Sequence, residues 1–280
     1  MNYTVLEIGS GSFKLQKKNH FNLRFQSGLG KNLMDFKLHP ESVAVALNSI
    51  DKEIIPLLQK ENIAIKDVLV FATAAVREAM KDSEGSGQAF LEELNKRGFI
   101  NPRVFSEEDE CNYAAWAVCE ELAKLDKFLV LDTGGASHQL IEIFHGEISK
   151  KQSFPIGSHS NLDELELPDF KALRYSCGLP LVLIGTSAVI LNSIKGFDIN
   201  ILRELVKNLP LLSLSERRNL LIALTPDSSV HSLYIDFRLE ILPNAFKLVL
   251  NCAENLGVTQ FIACKNQAID YVSNNGFNVK

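Results

Sequence analysis

The chain has no apolar run long enough to cross a bilayer. Its densest stretches, Phe128–Leu131 and Leu179–Ile184, are a fraction of the about 20 residues a spanning helix needs. The opening MNYTVLEIGS lacks a basic segment followed by an apolar one, so no secretory leader, no membrane partner and a cytoplasmic location are expected. Dense basic blocks are missing too. With 29 Lys and Arg against 34 Asp and Glu, a formal charge of -5, there is no positive stripe to neutralise a row of phosphates, and nucleic acid is not expected as a partner. Cysteine is scarce and odd in number: Cys111, Cys119, Cys177, Cys252 and Cys264 contain no CxxC pair, which excludes a zinc or dithiol site and a disulfide framework. Ordinary buried or semi-buried thiols are expected, with Cys111 and Cys119 two turns apart on one helix face. Neither a P-loop, a GxGxxG fingerprint, an HExxH pair nor a GxSxG elbow occurs, so Walker, Rossmann, zincin and acyl-transfer chemistries are unsupported.

What is present is a globular composition, 46% hydrophobic and 22% charged. At roughly 150 residues per domain, the 280 residues suggest two domains. Tyr3–Ile8 reads as a strand, residues 9–12 as a turn and Phe13–Lys17 as a returning strand, with further short elements to Leu33 completing an antiparallel ribbon. Pro40 opens a long helical pattern carried by Val43, Leu47, Ile50, Ile54, Leu57 and Leu58. A strand at Val68–Ala72 leads into a helix at Ala74–Met80. A helix at Gln88–Lys96, a short strand at Arg103–Phe105 and an Ala/Glu-rich helix at Glu108–Lys124 follow. The pattern then restarts with strands at Lys127–Leu131, Gln139–Phe144 and Ile148–Phe154. Helices are expected at Leu162–Tyr175, Ser187–Ser193, Asn200–Leu209, Ser213–Leu224 and Phe237–Leu256, the last bent or shifted by Pro243. Strands at Leu181–Ile184 and Gln260–Ala263 and a helix at Ala268–Val272 complete the reading.

The restart is a repeat. Leu6-Glu-Ile-Gly-Ser-Gly-Ser-Phe-Lys-Leu15 aligns without a gap on Leu131-Asp-Thr-Gly-Gly-Ala-Ser-His-Gln-Leu140, at an offset of 125 residues. Two similar domains facing one cleft are expected, 1–125 and 126–280, because a fused duplication keeps its pseudo-two-fold relation. Two unrelated Gly/Ser hairpins would also produce the pattern.

Each repeated loop has what an anion requires. Gly9, Ser10, Gly11 and Ser12 combine unobstructed backbone amides with hydroxyl donors, and Gly134, Gly135, Ala136 and Ser137 offer the same set. The carboxylates at the loop heads, Glu7 and Asp132, would repel a phosphate unless Mg2+ lay between them and its oxygens. Arg77, at a small-residue helix start in A-T-A-A-V-R, is either a solvated arginine or a bidentate phosphate grip. The cluster Glu107-Glu108-Asp109-Glu110 opens a helix, where capping alone could account for it. Glu110 lies deeper, beside Cys111, Ala114 and Ala115, where a carboxylate could instead take a proton from water. His138 follows Ser137 and could touch a bound anion; His20, His39, His145, His159 and His231 read as structural or surface residues.

These residues resemble the exopolyphosphatase and guanosine pentaphosphate phosphohydrolase family of the sugar kinase, Hsp70 and actin superfamily. Glu7–Leu15 is similar to that family's D-x-G-S-N-S-x-x-L, Ala72–Ala79 to its T-x-A-x-R-x-A, and Val104–Tyr113 to its I-S-G-x-E-E-A-x-L. Val130–Leu140 is similar to its D-I-G-G-G-S-T-E-L, Pro155-Ile156-Gly157 to its L-P-x-G, and Ile184–Ala188 to its third glycine-threonine segment. The resemblance implies an α/β fold of two ribonuclease-H-like (actin/Hsp70/sugar kinase-like) domains with an interdomain cleft, the last helix packing back on the first domain. It implies that Glu110 is the catalytic base beside Asp109, that Arg77 is a cleft arginine, and that the two loops hold phosphate. Many members add a helical C-terminal region that helps hold long polyphosphate, which a 280-residue chain is expected to lack; members often pair as homodimers. Departures stand at Glu7 for aspartate, Glu107 and Ala136 for glycine and Gln139 for glutamate, while the late P-x-R-A-D-V-I segment survives as a trace near Pro226–Val230.

The expected activity is therefore Mg2+-dependent release of terminal phosphate from polyphosphate or guanosine pentaphosphate, with Glu110 assisting water. The departures favour the alternative of a guanosine tetra- or pentaphosphate or polyphosphate binding and sensing module that does not hydrolyse. A phosphotransferase or ATPase of the wider superfamily is the third possibility, resting on fold-level analogy.

Overall fold

The computed structural model describes residues 3–31, 33–162, 164–228, 230–231, 235, 238–258, 260–264 and 266–277. The chain divides into two units, Met1–Tyr113 with Ala268–Lys280, and Ala114–Gln267. The division falls inside a helix, twelve residues before the expected boundary at 125/126.

In the first unit, strands β1 (Thr4–Ile8), β2 (Ser12–Lys17), β3 (Phe21–Gln26), β4 (Val68–Ala72) and β5 (Arg103–Val104) form one sheet in the order β3-β2-β1-β4-β5. The first three are antiparallel, and β4 and β5 run parallel to β1. Every residue of β1 is buried, as a central strand covered on both faces requires. The first helix runs α1 (Pro40–Ser49), a π segment (Ile50–Ile54), then α2 (Ile55–Lys60). Its buried face is Ser42, Ala46, Ser49, Ile50, Ile54 and Leu58, whereas Val43 and Leu47 lie at the margin. Half of that face is small, Ser42, Ala46 and Ser49, a choice that counting apolar residues misses. Helices α3 (Ala74–Ala79) and α4 (Ser86–Lys96) follow, and α5 (Glu107–Glu121) carries the chain out of the unit.

The second unit repeats the plan. Strands β6 (Lys127–Thr133), β7 (His138–Phe144), β8 (Glu147–Phe154), β9 (Leu181–Ile184) and β10 (Phe261–Ala263) form a sheet in the order β8-β7-β6-β9-β10, antiparallel for the first three and parallel thereafter. Helices α6 (Thr186–Ser193), α7 (Ile199–Asn208), α8 (Leu214–Leu224) and α9 (Leu242–Leu256) cover it. Asp198 caps α7, and Ser213 with Glu216 forms a capping box on α8. Pro243 occupies the first turn of α9, which moves the expected start from 237 to 242, and Gly257 ends it at φ 62°. Positions 236 and 237 lie outside the described residues.

Leu162–Tyr175, expected as a helix, is irregular in its described residues. Pro168 interrupts it, the Asp169 carboxylate accepts from the amides of Lys171 and Ala172 in a tight turn, and Phe170 and Tyr175 are buried as separate anchors. The last helix, α10 (Ala268–Asn275), belongs to the first unit: the Gln16 amide donates to Asp270 at 2.6 Å and the Tyr3 amide to the Ser273 carbonyl at 2.9 Å. Each unit has its own apolar core.

Candidate active site

The two repeated loops are hairpins of one construction. Across β1 and β2, Leu6 faces Leu15, Glu7 faces Lys14 and Ile8 faces Phe13; across β6 and β7, Leu131 faces Leu140, Asp132 faces Gln139 and Thr133 faces His138. Gly9 donates to the Ser12 carbonyl at 3.1 Å, and Gly134 to the Ser137 carbonyl at 2.9 Å. A β-carbon on either glycine would stand 2.8 Å from that carbonyl oxygen, so both positions reject a side chain. The two loops thus share register, turn hydrogen bond and close approach, as a duplication predicts.

The segment after the third strand backs each loop. The Gly9 carbonyl accepts from Ser27 Oγ at 2.7 Å and the Ser10 carbonyl from the Gly30 amide at 2.7 Å. In the second unit the Gly134 carbonyl accepts from Ser158, through its amide at 3.0 Å and Oγ at 3.2 Å, and the Gly135 carbonyl accepts from the His159 amide at 2.8 Å. A trans peptide holds its C=O and N–H in opposite directions. With those carbonyls drawn to the rear, the amides of Ser10 and Gly11, and of Gly135 and Ala136, are turned the other way, the arrangement of an anion-binding nest. Ala136 replaces glycine without strain, because neither it nor Gly11 has a positive φ.

In the first unit, the loop after β1, Arg77 in the helix after β4 and Glu110 in the helix after β5 all follow the carboxyl ends of parallel strands, the end of an open α/β sheet where ligands bind. Arg77 Nη1 donates to Glu110 Oε1 at 2.6 Å and to the Phe105 carbonyl at 3.2 Å, with the two charged side chains 12% and 11% exposed. Arg77 is therefore no solvated surface residue. Its Nε is buried without a hydrogen-bond acceptor. The acidic cluster divides by role: Asp109 caps α5 by accepting from the Ser106 amide and hydroxyl, Glu107 and Glu108 are exposed, and Glu110 is paired with Arg77.

Glu7 is buried at the head of the first loop. Lys14 Nζ donates to its Oε1 at 2.7 Å, while Oε2 has no hydrogen-bond partner. A buried anionic oxygen without a donor suits a hard cation. Among the described residues no three His, Cys, Asp or Glu side chains gather as a metal-binding group. Mg2+ is commonly held by one or two carboxylates, with water and substrate oxygens completing its shell, so the donors present fit that ion. Asp132, half-buried, lies against Gly185, where a β-carbon would come within 2.8 Å of its Oδ1 and where φ is 91°.

His138 is displaced from its expected role. Its ring is buried, stacks on Phe154 at 4.8 Å between centroids and donates from Nδ1 to the Ile156 carbonyl at 2.6 Å. Burial holds its pKa below the ordinary histidine value, against the opposing pull of that carbonyl. Gln139 is buried too, its Nε2 donating to Ser137 Oγ at 3.0 Å and Ser153 Oγ at 3.2 Å. Lys14, Ser27 and Ser158 are the site-supporting residues that sequence reasoning passed over. Lys14 could have been found, since it aligns on Gln139 within the repeat. Of the Pro226–Val230 trace, Ser229 lies outside the described residues.

Residues 4–169 match the Ppx/GppA phosphatase family, and the chain belongs to that family. Its fold is shared by an exopolyphosphatase from Cytophaga hutchinsonii, at 17% identity and a TM-score of 0.78 with 99% of each chain covered. It is shared as well by the Aquifex aeolicus Ppx/GppA family member, at 17% identity and a TM-score of 0.69 with 97% of this chain and 96% of that one covered. A type II variant of the Aquifex aeolicus Ppx/GppA phosphatase has 16% identity and a TM-score of 0.67, with 99% and 100% covered. No curated protein sequence matches. The architecture is two mixed α/β sheets with flanking helices, of the ribonuclease-H-like kind. Among the described residues no helix is long and apolar enough to cross a membrane.

Proposed function

We propose that this chain is a Mg2+-dependent phosphoanhydride hydrolase that releases terminal phosphate from polyphosphate or guanosine pentaphosphate. The observation that carries the reading is the Arg77–Glu110 pair set in the same unit, and at the same strand ends, as an amide nest headed by a buried carboxylate. In each unit the amides of its own loop, residues 9–12 or 134–137, are the donors for phosphoryl oxygens, with the loop serines beside them. Arg77 keeps Nη1 on Glu110 and Nε toward Glu78, and its Nη2 hydrogens are the donors for an oxygen of the substrate. Glu110, fixed by that bond, accepts the proton of the attacking water. Each loop-head acid, Glu7 through Oε2 in the first unit and Asp132 in the second, would offer a carboxylate oxygen to Mg2+ bound at its own loop. The bound ion would offset negative charge on the phosphoryl oxygens during transfer.

The departures from the family pattern bear on this reading to different degrees. Ala136 leaves the backbone of its loop unstrained, and Glu107 is exposed. Glu7 reaches Lys14, which covers one of the two oxygens a metal could use. A second reading, a guanosine tetra- or pentaphosphate or polyphosphate binding module without turnover, is favoured by the neutral Gln139 where the family pattern has glutamate.

The test is phosphate release from tripolyphosphate and guanosine pentaphosphate with and without Mg2+. Glu110→Gln should lower the rate at least about a hundredfold, the loss expected for a general base. Saturable binding with no release in the wild type would favour the second reading instead.

A further inference from the structure

Position 139 is where the repeat becomes chemically asymmetric. Lys14 and Gln139 are equivalent by the offset of 125, and each stands directly across its hairpin from the loop-head acid. Lys14 reaches Glu7 itself. Gln139 reaches the last residue of the second loop, Ser137, and Ser153 on the next strand.

We infer that Gln139 is a positioning residue that sets the direction of the Ser137 hydroxyl and thereby makes it a donor to the bound anion. The inference rests on the reading of residues 134–137 as a phosphate loop. A serine hydroxyl has one proton and two acceptor lone pairs. Accepting from the Gln139 amide, it spends a lone pair inward, and its proton is available for another acceptor. The oxygens held on the Gly135 and Ala136 amides are the acceptors that this loop gathers. A carboxylate at 139 can only accept, so it would draw the Ser137 proton away from the anion. It would also set a second negative charge directly opposite Asp132. The amide thus matches the second loop to fully ionised oxyanions.

The probe is sulfate, whose charge is constant over the range used, titrated calorimetrically from about pH 8 to about pH 5 against the wild type, Gln139→Glu, Ser137→Ala and the double variant. This range spans the values a buried glutamate takes. Wild-type affinity should be nearly flat with pH. Gln139→Glu should bind about tenfold more weakly at neutral pH, the size of one charge-assisted hydrogen bond, and recover as the new carboxyl protonates and becomes a donor. In the Ser137→Ala background the same substitution should change affinity much less. Gln139→Met, similar in volume and unable to donate, should give a smaller, pH-independent loss, and carries the test if Gln139→Glu does not fold. A full pH-dependent loss that persists without the Ser137 hydroxyl would show direct charge repulsion and overturn the inference alone, as would Gln139→Glu or Gln139→Met binding like the wild type. No saturable binding by the wild type would remove the phosphate-loop reading, and the inference with it.

Discussion

At the residue scale the site is decided by which charges are already engaged. Asp109 is taken up by the helix cap, so of the four acids at 107–110 only Glu110 meets Arg77. Both partners are nearly buried, and removing one takes the nearest counter-charge from the other. Arg77→Met should therefore lower stability by about 3 kcal/mol, and Arg77→Met/Glu110→Leu should recover most of that loss, because a buried pair is replaceable by apolar groups. Urea unfolding checks both; a single variant within about 0.5 kcal/mol of wild type would place the pair in solvent. His138 gives a pH signature. Its folded-state pKa lies below the unfolded value of about 6.5, so the unfolded chain binds the extra proton first. The stability it contributes is present above about pH 6.5 and is lost as pH falls below it toward the lower folded value. His138→Phe, which keeps the stack on Phe154, should flatten this acid limb in urea titrations at a series of pH values. An unchanged slope would assign the acid sensitivity to other groups.

At the element scale the two hairpins carry the account, and their shape depends on close backbone approach. A β-carbon at Gly157 would lie 2.3 Å from the Gly135 carbonyl oxygen, backbone against backbone, whereas one at Gly146 meets open space and only the strain of φ 77°. Gly146→Ala should cost about 1 kcal/mol and Gly157→Ala clearly more, near the upper end of about 1–3 kcal/mol for forced overpacking, with weakened sulfate binding at the second loop. Equal losses in urea unfolding would mean that residues 157–159 do not brace that loop. These elements were legible in the sequence to different degrees. The hairpins were readable because each is contiguous, and its glycines, serines and flanking leucines recur at one offset. Lys14 on Glu7 was legible in principle, since the repeat aligns it on Gln139 and the hairpin sets it opposite Glu7. Ser27 and Ser158 were hidden because the third strands differ in length, with a register shift at Glu142/Ile143 that breaks the offset of 125. Leu162–Tyr175 misled because two buried aromatic anchors and a proline-broken turn present the same apolar count as a helix.

At the scale of the whole molecule, a slightly acidic chain without a basic stripe is assembled from two copies of one sheet plan, each ending in an amide nest. Net charge is a poor guide to the site proposed: its positive character would come from backbone dipoles, one arginine and a metal rather than from surface lysines. The two sheets share one plan, while the proposed chemistry rests on what the units do not share: Arg77 and Glu110 in the first unit, Gln139 on Ser137 in the second. The central claim is that these residues turn over a phosphoanhydride. The most direct measurement is phosphate released from tripolyphosphate by the wild type and Glu110→Gln, with Mg2+ and with chelator. The account predicts release that requires Mg2+ and falls at least about a hundredfold in the variant; release that is equal in both proteins, or that is undiminished by chelator, would contradict it.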